Sequence, residues 1–231
     1  MPDHIDPLKS KLLDAALVHV PFDGWSETTF AAAVRDTGTD PAVADTLCPR
    51  GAVDLAIAFH KRGDTAMVER LKTEDFSTLR FSEKVAAAVR YRIEAIESKE
   101  AVRRGTTLFA LPHLAADGAK LIWGTADLIW DTLGDSSTDV NWYTKRATLS
   151  GVYGSAVLFW LGDDSSNCQA TWAFIDRRIE DVMRIEKIKS RVNANPLLSR
   201  LAAPITWAGS RIKPPLRTPK VDLPGSWSGP Y

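Results

Sequence analysis

Trp142 and Tyr143 stand side by side in the run from Ser137 to Arg146, directly after Thr138, Asp139 and Asn141. Those three polar residues are types whose side chains accept hydrogen bonds from the free N–H groups of a helix start. The spacing therefore predicts a helix with the aromatic pair on its first turn. Two roles fit the pair. Trp and Tyr join a large apolar area to one polar tip, which suits them to anchor a partner or ligand, and the same residues also fill ordinary cores. Residue types suited to catalysis are not grouped in this way. His4, His19, His60 and His113 are scattered, and none has a Glu-x-x-His or His-Glu-x-x-His neighbourhood, so the di-iron and zinc-hydrolase patterns are missing. There is no Gly-x-Ser-x-Gly elbow, and the glycines form neither a dinucleotide nor a phosphate-loop fingerprint. Asp135 and the pair Asp163–Asp164 fall in connections, where carboxylates usually serve turns. The residues predict no catalytic group, no metal and no cofactor.

The elements that must position the aromatic pair read as helices throughout. Every periodic segment has helical spacing and none alternates as a strand does. Asp6 before Pro7 opens a helix over 7–18, with Asp as cap and Pro at the first helical position. Ser26 caps a second, to about residue 36. Thr37-Gly38-Thr39 makes a turn, and Asp40 before Pro41 opens a short third helix ending near residue 47. Longer helices are expected over 51–72 and 81–96, the latter with Val85, Ala88, Val89 and Arg92 at three- and four-residue spacings. Leu111-Pro112-His113 interrupts the pattern. A helix follows to about residue 133, then Gly134-Asp135-Ser136 leads into the Trp142 helix, to about residue 161. Beyond Arg146 that helix is apolar nearly all round, which belongs in the middle of a bundle. Ser166 with Gln169 reads as a capping box. It opens a helix with Trp172, Ile175, Ile179 and Val182 on one face.

Composition bounds the function. A chain of 231 residues, 45% hydrophobic and 25% charged, is long enough for a substantial core. Cys48 and Cys168 are too few for a disulfide framework and read as reduced thiols. No basic-then-apolar leader opens the chain and no run approaches eighteen apolar residues, so a cytoplasmic protein without a spanning helix is expected. The zero net charge hides an asymmetry. From Lys187 to Lys220 there are eight basic residues and no acid, whereas the preceding 186 residues carry a net charge of −7. An anionic membrane surface suits such a tail. Leu197, Leu201, Ile205, Ala208 and Ile212 trace one apolar face there, with Arg200, Arg211 and Lys213 placed to reach headgroups. Pro204 would kink that helix. After Arg211 the Pro- and Gly-rich end reads as a tail.

Helix, helix, turn and short third helix together resemble the DNA-binding head of TetR-type regulators. DNA binding needs cations on phosphates and polar groups on base edges. The recognition position, residues 40–47, instead offers Asp40 and Asp45 and no cation before Arg50.

Four further words, in one order, resemble a known family. They are Ala88-Val89-Arg90-Tyr91-Arg92, Leu111-Pro112-His113, the Ser137–Arg146 run, and Asp164-Ser165-Ser166 with Thr171-Trp172 and Phe174. Together they are similar to the lipid-binding accessory family of ubiquinone biosynthesis, the ninth Coq protein, whose fold is TetR-like. The resemblance implies docking of the di-iron demethoxyubiquinone hydroxylase around Trp142 and Tyr143, with Asp127, Ile129 and Trp130 from the preceding helix. It also implies an apolar pocket for an isoprenoid quinone intermediate, a membrane-associated C-terminal helix and a homodimer. The residues fit. Gly151 and Gly154 remove side-chain volume while Val152, Tyr153, Val157, Leu158 and Trp160 supply apolar walls, although the same glycines would also serve close helix packing. Leu197, Arg200, Leu201, Ile205, Arg211 and Ile212 would meet the membrane.

The expected protein is all-α and TetR-like: a helix-turn-helix-like head over 1–50, a lipid-binding bundle over 51–190, an amphipathic segment over 191–213 and a tail over 214–231. Its expected role is to present an isoprenoid quinone intermediate, or another apolar lipid, to the hydroxylase. It would do so without catalysis or nucleic-acid binding, at the periphery of the inner membrane. A ligand-responsive transcription regulator of the same fold is the alternative.

Overall fold

The computed structural model describes residues 6–137 and 140–194. Among them the regular elements are helical and no strand occurs. The head is built as its capping residues dictate. Asp6 accepts from Leu8 N at 2.8 Å with Pro7 beginning α1 (Pro7–Asp23). Ser26 accepts from Thr29 N and Gly38 ends α2 (Glu27–Thr37) in the left-handed conformation, at φ +63°. Asp40 accepts from Ala42 N at 2.8 Å ahead of α3 (Pro41–Leu47). Helix α1 runs five residues beyond its expected end, through Pro21, because Val20 is fully buried and holds the extra turn in the core.

The remaining elements are α4 (Ala52–Thr73), α5 (Phe81–Glu94), α6 (Lys99–Phe109), α7 (Ala115–Thr132), α8 (Val140–Leu161) and α9 (Gln169–Ala194). Helix α6 was not expected as a separate element. Ala101 is its one fully buried residue, and Val102, Gly105 and Phe109 also sit on its inner side. Ser98 Oγ accepts from Ala101 N at 3.1 Å to start it, and Trp25 Nε1 donates to the Ala101 carbonyl at 3.0 Å to hold it down.

The start of α9 corrects the capping-box reading. Ser166 opens a single 3₁₀ turn (Ser166–Cys168), and Asn167 and Cys168 adopt positive φ of 52° and 54°. The free N–H groups of α9 are taken from further back: Ser165 Oγ accepts from Ala170 N at 3.0 Å, and Asp163 accepts from Thr171 N at 2.9 Å. Asp163 also accepts from the Ser165 N–H and the Thr171 hydroxyl, and these bonds hold its carboxyl well below the usual range. The carboxylate reaches N–H groups that a serine at 166 would have to curl back to meet.

Two hydrophobic cores result. Leu12, Leu13, Val20, Trp25, Phe30 and Leu55 centre one, beneath α1 to α3. Met67, Val89, Ile129, Tyr153, Ala156 and Ile175 centre the other, among α4, α5, α7, α8 and α9. Helix α4 feeds both, with Leu55, Ala56 and Ala58 near its start and Met67, Val68 and Leu71 near its end.

Candidate functional site

Helix α8 divides its faces between two jobs. Leu149, Val152, Ala156 and Trp160 recur near every fourth residue and are buried in the bundle core. Tyr153, Gly154, Val157 and Leu158, one and two positions on, line a cavity of about 450 Å³. That volume lies in the range of small-ligand sites. Phe59 of α4, Phe109 of α6 and Ile122 of α7 supply further apolar wall. Close helix approach shapes the space: a Cβ at Gly118 would stand 2.8 Å from Phe109 Cβ, so α6 and α7 meet through the missing side chain. Leu158 is 64% exposed and marks where the apolar lining reaches the surface.

The structure therefore brings together four of the seven expected lining residues and separates three. Gly151 is exposed, with open space where a Cβ would be, and takes no part in the cavity. Val152 points to the opposite side of α8, into a smaller cavity of about 250 Å³ that it lines with Phe81, Trp130 and Ile179. Trp160 is core, with Lys99 Nζ 5.3 Å from its ring centre. An all-round apolar helix hides its facing from the sequence, so a glycine pair three residues apart could not be assigned to one side.

One wall of the cavity is polar: His60, Arg92 and Tyr153 line it, and Asp64 and Thr125 are hydrogen-bonded to them without reaching the lining. The sequence reading had not grouped these residues. Arg92 Nε donates to Asp64 Oδ1 at 2.6 Å, and Arg92 Nη2 donates to the His60 carbonyl at 2.8 Å. The Thr125 hydroxyl donates to Asp64 Oδ1 at 2.8 Å and lies 2.9 Å from His60 Nε2. Tyr153 closes the set, and burial raises its phenol to about 12. Signals did exist: Arg92 stands on the apolar face of α5, and His60 and Asp64 are one helical turn apart. Burial pushes the His60 pKa down to about 4, against the pull of Asp64.

That shift has a measurable consequence. An unfolded histidine titrates near 6.5, so between about pH 6.5 and 4 the unfolded chain binds a proton that the folded chain does not. Stability at His60 is complete above this window and falls as pH drops through it, by up to roughly 3 kcal/mol in all. Urea titrations at successive pH values should show that loss, and His60→Gln should flatten the profile between pH 6.5 and 4.

The aromatic pair is positioned differently from the cavity. Trp142 is buried, 8% exposed, and Tyr143 is half-buried with ring centres 4.7 Å apart edge to face. Trp123 of α7 packs against both, at 6.1 and 6.5 Å. The Arg146 guanidinium lies 4.0 Å from the Trp142 ring centre and is itself fully buried. It donates to Asp127 at 2.5 Å, Asp135 at 3.0 Å and Asp131 at 3.3 Å, and to the Trp142 carbonyl at 3.2 Å. Lys145 Nζ adds a bond to Asp135 at 2.8 Å. Burial opposes the charge on Asp135, yet hydrogen bonds from Lys145, Ser137 and Arg146 hold its carboxyl down at about 2.

Of the residues expected to face a partner, Ile129 and Trp130 are core instead, 0% and 5% exposed. Trp130 Nε1 donates to the Lys145 carbonyl at 3.2 Å and its ring stacks on Phe81. Both follow from the α7–α8 packing, which turns that face of α7 inward. Asp127, Tyr143 and the edge of Trp142 remain together beside Trp123. The capping candidates Thr138 and Asp139, and the expected membrane residues Leu197, Arg200, Leu201, Ile205, Arg211 and Ile212, lie outside the described residues. No helix among the described residues is long and apolar enough to cross a membrane, and they hold no cluster suited to a metal ion.

The family model described as COQ9 matches residues 115–186, which hold α7, α8 and most of α9. The chain is 32% identical over 189 residues to the mitochondrial ubiquinone biosynthesis protein COQ9 of Xenopus tropicalis, covering 77% of this chain and 58% of that protein. It is 30% identical over 196 residues to the probable ubiquinone biosynthesis protein coq9, mitochondrial, of Dictyostelium discoideum, with 80% and 62% covered. With the mitochondrial COQ9 of Homo sapiens it shares 26% over 197 residues, covering 82% and 62%. The match thus spans about three fifths of the length of these relatives. Among solved structures, a TetR transcriptional regulator from Nitrosomonas europaea matches with a TM-score of 0.61 at 17% identity, covering 76% of this chain and 97% of the regulator. At that identity the likeness establishes an all-α, TetR-like fold.

Proposed function

With similarity to the COQ9 proteins as the premise, we propose that this chain is a non-catalytic accessory protein of ubiquinone biosynthesis. In this reading it holds an isoprenoid quinone intermediate, or another apolar lipid, in the cavity beside α8. It presents that lipid to the di-iron demethoxyubiquinone hydroxylase, docked against the surface of Tyr143, Asp127 and the Trp142 edge. The observation that carries the reading is the 450 Å³ cavity, walled by Phe59, Phe109, Ile122 and Val157 and reaching the surface at Leu158. The segment over 191–213 attaches the protein to an anionic membrane surface, at the periphery of the inner membrane, and the protein acts as a homodimer.

The regulator alternative gains nothing from the head. Asp40, Pro41, Ala42, Val43, Asp45 and Thr46 are its exposed residues at the recognition position, and the nearby Arg50 is committed to Asp54 and Asp117. Two carboxylates without a free cation would repel phosphate.

The test is an organic extract of the purified protein read by mass spectrometry. An apolar lipid approaching one per chain is expected, and a lipid-free extract together with no uptake of added prenyl quinone would end the proposal. Gly154→Leu should lower that occupancy several-fold, because its side chain would project into the cavity, where the first obstacle to a Cβ is Ile122 Cδ1 at 3.8 Å. Gly151→Leu should leave occupancy unchanged, since that position opens outward. For the docking surface, Tyr143→Asp with retained helicity and lost hydroxylase pull-down is the supporting result; undiminished pull-down would move docking elsewhere.

A further inference from the structure

Arg92 in the polar wall of the cavity is paired with Asp64, which lies outside the lining, and the pair is held out of water. The side chains of Arg92 and Asp64 are 4% and 8% exposed. Two of the three guanidinium nitrogens are used, Nε on Asp64 and Nη2 on the His60 carbonyl. Nη1 makes no hydrogen bond among the described residues. It lies across Gly63, 2.5 Å from where a Cβ would stand, and both residues line the cavity. Asp64 is occupied as well, by Arg92 and by the Thr125 hydroxyl. His60 adds no charge, since burial keeps its imidazole neutral down to about pH 4.

The other charged residues of the lining are Arg62 and Glu97. Arg62 is already held by two carboxylates, Asp14 at 2.5 Å and Glu97 at 2.6 Å. The inner wall is therefore neutral in sum, and the Arg62 cluster carries one negative charge. A phosphate or carboxylate entering this space would be buried with no uncommitted cation to receive it, and hydrogen bonds alone do not offset that cost. An uncharged carbonyl, hydroxyl or ether oxygen brings no such cost and meets a charged donor at Nη1.

We propose that the cavity selects among lipids by the charge of the head, seating an uncharged oxygen-bearing head against Arg92 Nη1 and rejecting phosphorylated or carboxylated heads on the same tail. The selection rests on the reading of this cavity as a lipid site. Asp64 is what makes it work: by neutralising Arg92 it turns an anion receptor into a site for neutral oxygen.

The experiment compares two probes with one tail. Full-length protein, freed of copurified lipid, is titrated with geranylgeraniol and with geranylgeranyl monophosphate by equilibrium dialysis, with the bound probe quantified by mass spectrometry. The alcohol should bind at least ~10-fold more tightly. Asp64→Asn uncovers the guanidinium and should shrink or invert that ratio. Arg92→Met should weaken the alcohol without improving the phosphate. Should both variants fail to fold, the wild-type ratio decides alone, together with the headgroup class of lipid that copurifies with the protein. Equal or tighter binding of the phosphate by the wild type would overturn the charge selection while leaving a lipid site. Binding of neither probe would overturn the lipid reading itself and the selection with it.

Discussion

Arg146→Met unfolds the α7–α8 corner. The side chain is fully buried and is shared by Asp127, Asp131 and Asp135, whose side chains are 28%, 34% and 3% exposed. Methionine replaces its volume but leaves three carboxylates facing one another with Lys145 as the remaining cation on Asp135. Removing one partner from a buried ion cluster costs about 3–5 kcal/mol, because the carboxylates lose the buried cation that they share. Chemical denaturation followed by circular dichroism should show a loss of that size. Adding Asp135→Asn to Arg146→Met should recover part of it, since Asp135 is the least exposed of the three. A single variant as stable as the parent would mean that the carboxylates relax into water and the cluster is not structural. The aromatic pair shares this fate. Trp142→Asp would place a fourth carboxylate beside Arg146, so lost helicity is its expected outcome, which makes Tyr143 the better probe of docking.

Gly63→Ala is expected to destabilise, against the rule for a glycine inside a helix. At an exposed helical site alanine is favoured over glycine by about 1 kcal/mol. Here the new methyl would sit 2.5 Å from Arg92 Nη1 and 2.7 Å from its Cζ. The guanidinium cannot yield without giving up Asp64 or the His60 carbonyl, both of which it holds out of water. A broken buried pair at about 3–5 kcal/mol outweighs the helical gain, leaving a net loss of about 3 kcal/mol. Thermal unfolding of Gly63→Ala beside Gly124→Ala is the check. Gly124 lies in α7 with nothing within 4 Å of its would-be Cβ, so that change should be neutral or stabilising. If both move the melting temperature the same way, Arg92 has room to shift and the close approach is not a constraint.

Much of the fold was legible because its signals are local. Asp6–Pro7, Ser26, Gly38 and Asp40–Pro41 carry their capping chemistry within four residues, and the structure uses each of them as read. Signals that depend on distant partners were not legible. Ser166 looked like a cap by its spacing to Gln169, but Asp163 reaches the same N–H groups first. The site divides in the same manner. The resemblance marked α8 as the lining helix, yet only packing decides that Tyr153, Gly154, Val157 and Leu158 meet the cavity while Val152 and Trp160 do not. Ile129 and Trp130 were carried to a surface by resemblance, whereas the contact of α7 with α8 buries them. The polar wall and the groups bonded to it draw His60 and Asp64 from α4, Arg92 from α5, Thr125 from α7 and Tyr153 from α8, and no sequence window contains all five.

Helix α4 has one further consequence. Its 22 residues form a rod of roughly 33 Å, and its two ends are buried in different cores. Fraying at one end strips apolar surface from the head, and fraying at the other strips it from the bundle. The two layers are therefore coupled in cooperativity: neither can melt while the shared helix stays intact on both sides. His60, Gly63 and Asp64 lie along the middle of that rod. The cavity wall thus sits on a rod that links head and bundle, with α6 as a second link between them.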